Sequence, residues 1–526
     1  MTSRKLTHVH AMVLLVPLAI PVALAAQDQQ NDRNDDRHYH YRVIDLGTFG
    51  GPTSWFCNDL TGGGGACPIL NNRGTVVSGA DTTDPNPNYL NSNFLLPPFN
   101  PPIGDPFIQH AFQWQGASLQ DLGVLPGGYN SFAQAVSANG LIAGMSENGL
   151  TDPLLNIPAV NAVLWKEGQI FNLGTLEGGY ESLANGVNSR GLVVGESLNT
   201  VPDPFLGLQV RAFLWQKEAM QDLGTLGTGT DAVAYFVNEP GQIAGASFTN
   251  TTINSATGVP TEDPFLWVNG TMYDLGTLGG TLGFPNAINN GGQVIGQSNL
   301  AGDSTNHPFL WDKRGNPPLA DLGTLGGDNG YASRINDAGA VVGTADLPGS
   351  QTHHAFLWQK GVGMTDLGTV GSDPCSGSLG INSRGQVVGF SSTCAVNAHA
   401  FLWEDGQITD LNIFNYSGSG LQQLLLAYNI NDSGEIAGLG VPPGVDPADV
   451  FTLGHTFVLI PCDERQRNTE GCDLSMVDGT ALTTGISSTP VTHLTTASEV
   501  APRPRSMSNP MHRRFDGRLM RWHRSF

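Results

Sequence analysis

The stretch from Asp321 to Leu367 recurs with variations between Tyr41 and Pro461, and this restricts the chain to a repeat architecture. It opens on Asp321-Leu322-Gly323 and runs through a Gly-rich link at Gly326-Gly327 to Ile335-Asn336-Asp337-Ala338-Gly339. Val341-Val342-Gly343 follows, then a polar loop, His354-Ala355-Phe356-Leu357-Trp358, and the next Asp366-Leu367-Gly368.

The number of units can be read from one turn. A Gly stands three residues after an Asn at Gly74, Gly191, Gly241, Gly292, Gly339, Gly385 and Gly434. Gly140 keeps the spacing with Ser137 in the Asn position, which makes eight units. Asn, two turn formers and Gly between β-branched apolar residues suit a type I turn followed by a left-handed Gly. Asn bonds its own backbone to start the turn, and Gly takes positive φ without a Cβ clash. Each unit therefore holds a tight hairpin. The His-Ala-Phe-Leu-Trp segment is expected as a third strand, and the segment leading into Asp-Leu-Gly as a fourth. Trp114, Trp165, Trp215, Trp267, Trp311, Trp358 and Trp403 recur in seven units, and Leu459 takes that place in the eighth.

Successive Asp-Leu-Gly positions after Asp121 lie 44 to 52 residues apart, the length of a four-stranded β-propeller blade. A solenoid could use the same strands but needs capping ends, and none is evident. The last unit stops without its Asp-Leu-Gly strand, while Tyr41 to Gly47 is such a strand without a unit. The expected fold is an all-β propeller of eight four-stranded blades, closed three-plus-one by the N-terminal strand, which would pair both edges.

Outside the repeats, residues 1–25 read as a secretory signal peptide: Arg4 and Lys5, an apolar run from Met12 to Leu24, then small residues at Ala23-Leu24-Ala25. The alternative is a retained anchor, for which the run is short. Residues 26–40 form a polar tether, 41–461 the repeat domain, and 462–526 a Cys-bracketed loop with a disordered basic tail. That tail carries Arg503, Arg505, Arg513, Arg514, Arg518, Arg521 and Arg524, so the net charge of -22 understates how acidic the body is. An acidic body argues against nucleic acid as a partner. In an exported chain the six cysteines suggest local disulfides, Cys57 with Cys67, Cys375 with Cys394 and Cys462 with Cys472. A metal site is the alternative reading, but no CxxC or clustered Cys/His spacing supports it.

The repeated polar residues have structural readings. Asp45, Asp121, Asp222, Asp274, Asp321, Asp366 and Asp410, with Asn172 once, sit where a carboxylate accepts N–H bonds from the next turn. His110, His354, His399 and His455 share one repeat position that Ala, Pro and Arg neighbour elsewhere, which argues against a metal-binding ring. The Trp positions suit packing between blades. No catalytic residue, cofactor motif or metal-ligand set is read from the chain, and a monomer with no transmembrane segment in the mature chain is expected.

Function is expected where the units differ. Between second and third strands, unit one inserts Asp81 to Gln109, and units two to four carry Gly149 to Val160, Leu198 to Val210 and Phe248 to Glu262. Units five to seven are much shorter there, so one half of one face should be built up, and variable loops on a rigid scaffold are the usual place for recognition. Asp-Pro pairs mark these loops at Asp84, Asp105, Asp152, Asp203 and Asp263, the candidate binding residues. Turn initiation explains the pairs adequately; a cation or sugar site is the sharper reading. The leading expectation is a secreted binding or scaffold module for an extracellular carbohydrate, peptide or envelope partner. The alternatives are a polysaccharide-active lyase or hydrolase on a propeller scaffold, and a purely structural envelope component.

The His-Ala-Phe-Leu-Trp blocks, with Asp-Leu-Gly-Thr-Leu-Gly-Gly and Ile-Asn-x-x-Gly-x-Val-Val-Gly, resemble the bacterial extracellular HAF-repeat family over about Tyr41 to Pro461. His-Ala-Phe is intact at His354 and His399 and drifts to Asn161-Ala162-Val163, Arg211-Ala212-Phe213 and Pro264-Phe265. The resemblance implies a secreted repeat protein of undefined activity and carries over no catalytic residue.

Overall fold

The computed structural model describes residues 40–55, 67–89, 95–96, 103–116, 118–153, 156–203, 207–394, 397–462 and 472. The expected signal peptide and basic tail, nearly all of the tether, and Cys57 lie outside the described residues.

Unit six shows how the sequence builds a blade. Its strands Gly330–Ile335, Val341–Asp346, His353–Gln359 and Gly363–Asp366 pair antiparallel in chain order. The Asn336 Oδ1 accepts the Ala340 N–H at 3.0 Å, and Gly339 closes the turn at φ 82°. Val341, Val342 and Phe356 are fully buried. A register shift between Ala332 and Arg334 bulges the first strand, and the same shift recurs at Ala133/Ala135, Ala184/Gly186, Ala234/Phe236 and Ser378/Gly380. A bulge at one repeat position adds local twist at each first strand.

Eight such four-stranded units are present among the described residues, two of them (units four and five) joined by a single parallel bridge, Glu262 to Leu282. Unit eight draws its outer strand from the N-terminus: Tyr41–Asp45 runs antiparallel to His455–Pro461, with Tyr41 opposite Pro461 and Asp45 opposite Phe457. Tyr41 and Val43 are buried in this seam. The orphan strand thus completes the last blade, and the fold is a β-propeller with three-plus-one closure.

The joints between units are as regular as the units. The Nδ2 of each turn Asn donates to the backbone carbonyl at the same position of the next unit. Asn71 reaches Ser137, Asn188 reaches Asn238, Asn238 reaches Asn289 and Asn289 reaches Asn336, at 2.9 to 3.1 Å. Asn336 reaches Asn382, Asn382 reaches Asn431, and Asn431 returns to Asn71, at 3.0 to 3.1 Å. The one step without an Asn starts at Ser137, where Asn139 donates to the Ser189 carbonyl at 2.9 Å instead. The ladder therefore runs around the ring and across the closure.

A second joint explains two sequence irregularities. The N–H at the Ala of His-Ala-Phe donates to a Ser hydroxyl on the first strand of the next unit, as Ala111 to Ser131, Ala162 to Ser182 and Ala355 to Ser376. Pro264 and Pro308 occupy that Ala position and have no N–H. Opposite them stand Gly283 and Gly330, where any Cβ would press on the proline ring. Donor with hydroxyl, ring with no side chain: these five joints are matched as pairs.

Cys375 is bonded to Cys394 and Cys462 to Cys472. Cys67 is disulfide-bonded as well, and its expected partner Cys57 is outside the described residues. Among the described residues no helix is long and apolar enough to cross a membrane.

Candidate functional site

Antiparallel order places the Asn turns on one side of the ring and the connections between second and third strands on the other. That second side is uneven, as expected, but the expected loops are in part strand. The second strands of units one, two and three are Val76–Pro85, Ile142–Thr151 and Val193–Asp203. In units six and seven they are only Val341–Asp346 and Val387–Ser392. In unit three the ladder continues past a bulge to Pro202 opposite Leu208 and Asp203 opposite Gly207. Leu198 to Val210 is therefore a projecting hairpin rather than a loop, because Leu198 and Val210 are both buried and pair with each other. Unit eight adds an element that the repeat pattern did not reveal, a helical turn at Val450–Leu453 whose Val450 packs into the core beside unit one. The built-up arc thus runs from unit eight through unit four.

The five Asp-Pro aspartates occupy this arc but do not form one surface. Asp84 is exposed, whereas Asp105, Asp152 and Asp203 are buried and Asp263 is half-buried. Asp105 initiates a turn, its Oδ1 accepting the Phe107 N–H at 2.9 Å. Asp263 does not: it lies within the strand Glu262–Val268, since its Pro264 is accommodated by Gly283 as described above.

Asp105 meets a residue that turn signals could not single out. Asp81, fully buried at the end of the regular part of its strand, touches the Asp105 carboxyl. Burial pushes Asp81 up to about 9, and the charge and carboxyl of the neighbouring Asp105 add to this. The Thr53 amide lies near enough to favour the ionised form of Asp81, but not in hydrogen-bond geometry. Gln109, also fully buried, stands directly opposite Asp81 across the strand pair. Neither oxygen of Asp81, nor Asp105 Oδ2, nor either polar atom of the Gln109 side chain has a geometrically sound protein donor or acceptor.

Toward the outer edges of the blades, third-strand His residues meet aspartates of the fourth strand. His110 pairs with Asp121 at 2.8 Å, His354 with Asp366 at 2.8 Å and His455 with Asp45 at 3.0 Å. His307, outside the four His of the repeat position expected from the sequence, pairs with Asp321 at 2.9 Å. Arg211 replaces His in unit three and holds Asp222 at 3.0 Å. His399 turns instead to Asp373, at 3.0 Å. The aspartates also serve the expected turn, with Asp121, Asp321 and Asp366 Oδ1 accepting the N–H of Gly123, Gly323 and Gly368 at 2.7 to 2.8 Å. Burial alone would raise Asp121 and Asp321, but the His ring and the Gly N–H outweigh it and hold both below the usual carboxylate range. Unit four puts a second acid in the His position. Burial and the charge of Asp274 push Asp263 up to about 7, and the two carboxyls share a hydrogen bond.

On the Asn-turn side a cleft of about 310 Å³ opens between units one and two. Arg73, Asn139, Gln113, Gln115, Gln120 and Lys166 line it. Six other units place Leu at the Gln113 position, as in Leu357 and Leu402.

No protein-family profile matches the chain, and no curated protein does. Among solved structures it is similar to the β-propeller domain of the Trilobed protease from Pyrococcus furiosus, with TM-score 0.38 and 10% identity over 70% of this chain and 97% of that one. It is similar to Porphyromonas gingivalis dipeptidyl peptidase 4, with TM-score 0.40 and 10% identity over 65% of this chain and 55% of that one. It is similar also to TolB from Acinetobacter baumannii, with TM-score 0.29 and 13% identity over 58% of this chain and 76% of that one.

Proposed function

We propose that this protein is an exported binding module of the HAF-repeat type, which engages an extracellular carbohydrate, peptide or envelope partner through the built-up arc. The unevenness of that side carries the reading: projecting strands and insertions rise from units one to four and eight on a ring whose other units end flush. A hydrogen-bonded ring holds such projections in fixed relation, the condition under which loops become a recognition surface. The disulfides Cys375–Cys394 and Cys462–Cys472 support export.

The alternative, a polysaccharide lyase or hydrolase, draws less support. Glycoside hydrolysis by paired carboxylates needs them about 5 to 9.5 Å apart with room for sugar or water. Asp81 with Asp105, and Asp263 with Asp274, instead stand carboxyl beside carboxyl. The test is a variant whose insertions in units one to four are cut back to the lengths of units five to seven. Wild type should be retained on cell-wall polysaccharide or envelope fractions and the cut-back ring should not. Equal retention would refute the reading, and soluble sugar released by wild type would favour the enzyme.

A further inference from the structure

We infer that Asp81, Asp105 and Gln109 form a buried cation site in unit one that takes a hard, oxygen-seeking divalent ion of the calcium class.

The polar groups of this cluster are buried without partners enough to satisfy them. Asp81 is 0% exposed, Asp105 1% and Gln109 0%, and five of their side-chain polar atoms lack a sound partner. Buried polar groups without partners are rare in folded proteins, because each loses its hydration and regains nothing. A proton shared between the two carboxyls answers part of the deficit and leaves the Gln109 amide untouched. One ion answers more of it. It would neutralise both carboxylates and take Gln109 Oε1 as a neutral ligand.

Geometry favours convergence. Asp81 and Gln109 are register partners, so their side chains rise from the same face of the sheet. Asp105 reaches Asp81 from the other end of the insertion, fixed by its bond from Phe107 and by Asn86, whose Nδ2 donates to the Asp105 carbonyl at 3.1 Å. Among the described residues no group of three His, Cys, Asp or Glu side chains is placed to hold a metal. The third protein ligand is therefore an amide oxygen, a donor that calcium accepts readily in its irregular shells; magnesium would keep more water and a stricter octahedron.

Other units show that this position can be satisfied without an ion. Glu147 stands where Asp81 does, and it accepts from the Tyr129 N–H at 2.9 Å and the Asn130 Nδ2 at 2.8 Å. In unit six Asp346 accepts from the Asn329 Nδ2 at 3.2 Å. Unit one has Thr53 at the corresponding strand start and offers no such amide. It brings a second acid instead.

The experiment uses the full mature chain, stripped with chelator and titrated with calcium chloride in a calorimeter, with thermal unfolding followed in parallel. Wild type should bind one ion and unfold at higher temperature with calcium present. Asp105→Asn keeps the size of the side chain and should weaken binding about tenfold or more. Gln109→Glu adds a charged ligand and should tighten it. Asp84→Asn, altering the exposed acid nearby, should bind as wild type does. Absence of both heat and a thermal shift in wild type would overturn the inference, as would unchanged affinity in a folded Asp105→Asn protein.

Discussion

Replacing Asn336 by Ala tests whether the amide ladder holds the ring together. Its Oδ1 accepts from Ala340 N–H at 3.0 Å within the turn, and its Nδ2 donates to the Asn382 carbonyl of the next unit at 3.1 Å. The two losses are unequal. The Asn382 carbonyl keeps the Gly385 N–H at 3.1 Å, so the severed joint should cost about 1 kcal/mol. The buried Ala340 N–H keeps no partner, which adds about 1 to 3 kcal/mol. Asn336→Ala should therefore destabilise by about 2 to 4 kcal/mol.

Ser137 supplies the control, since its Oγ accepts the Leu141 N–H at 2.9 Å while making no ladder bond to the next unit. Asn336→Ser should thus keep the turn and lose only the joint, at about 1 kcal/mol. Urea midpoints followed by tryptophan fluorescence, at unchanged slope, report the order wild type, Ser, Ala. An Ala variant within about 0.5 kcal/mol of wild type would show the ladder to be incidental. A Ser variant as weak as Ala would show that the joint, not the turn, carries the loss.

The closing strand, the acid pair and a disulfide give further tests. Val43→Asp places a charge in the buried seam, so amide exchange in His455–Pro461 should accelerate while unit four stays protected; unchanged exchange would mean that closure is dispensable. Asp263, raised from 3.8 to about 7, binds its proton more tightly folded than unfolded, so its contribution is full below about pH 4 and is lost as pH rises through 7. Asp263→Asn should flatten that decline and exceed wild type above neutrality by on the order of 1 kcal/mol, discounted for partial exposure; parallel stability–pH curves would count against the pairing. Replacing both Cys375 and Cys394, 19 residues apart, by Ala should cost about 3 kcal/mol, read from urea midpoints, and no change would contradict the loop-closure account.

The blade was legible because its determinants are local. An Asn, a left-handed Gly and alternating apolar residues specify a hairpin whatever surrounds them, and the missing fourth strand at one end matched the spare strand at the other. What was not legible depends on contacts between units. That Asn336 serves the Asn382 carbonyl follows from the distance between adjacent blades, not from spacing along the chain. His354 and Asp366 meet because Phe356 lies opposite Asp366, a register set by the intervening turn. Asp105 read as a loop residue because it precedes Pro106, and its burial gave no sequence signal. Asp81 falls within a strand and carried no motif. A comparison among the units does not single it out, since Glu147 and Asp346 stand at the same position in units two and six.

The same comparison does single out Gln113. The corresponding Leu164, Leu214, Leu266, Leu310, Leu357 and Leu402 are buried at 2 to 7% exposure, and Val458 at 1%. Gln113 is half-buried in the cleft, beside Gln120, its register partner on the outer strand. Had the position simply drifted, restoring the repeat residue should help, because Leu buries more apolar area and leaves no half-buried amide to satisfy. Gln113→Leu should then stabilise the ring by about 1 kcal/mol, with the urea midpoint as readout. A loss of stability would mean that the amide is engaged within the cleft, and the drift explanation would fail.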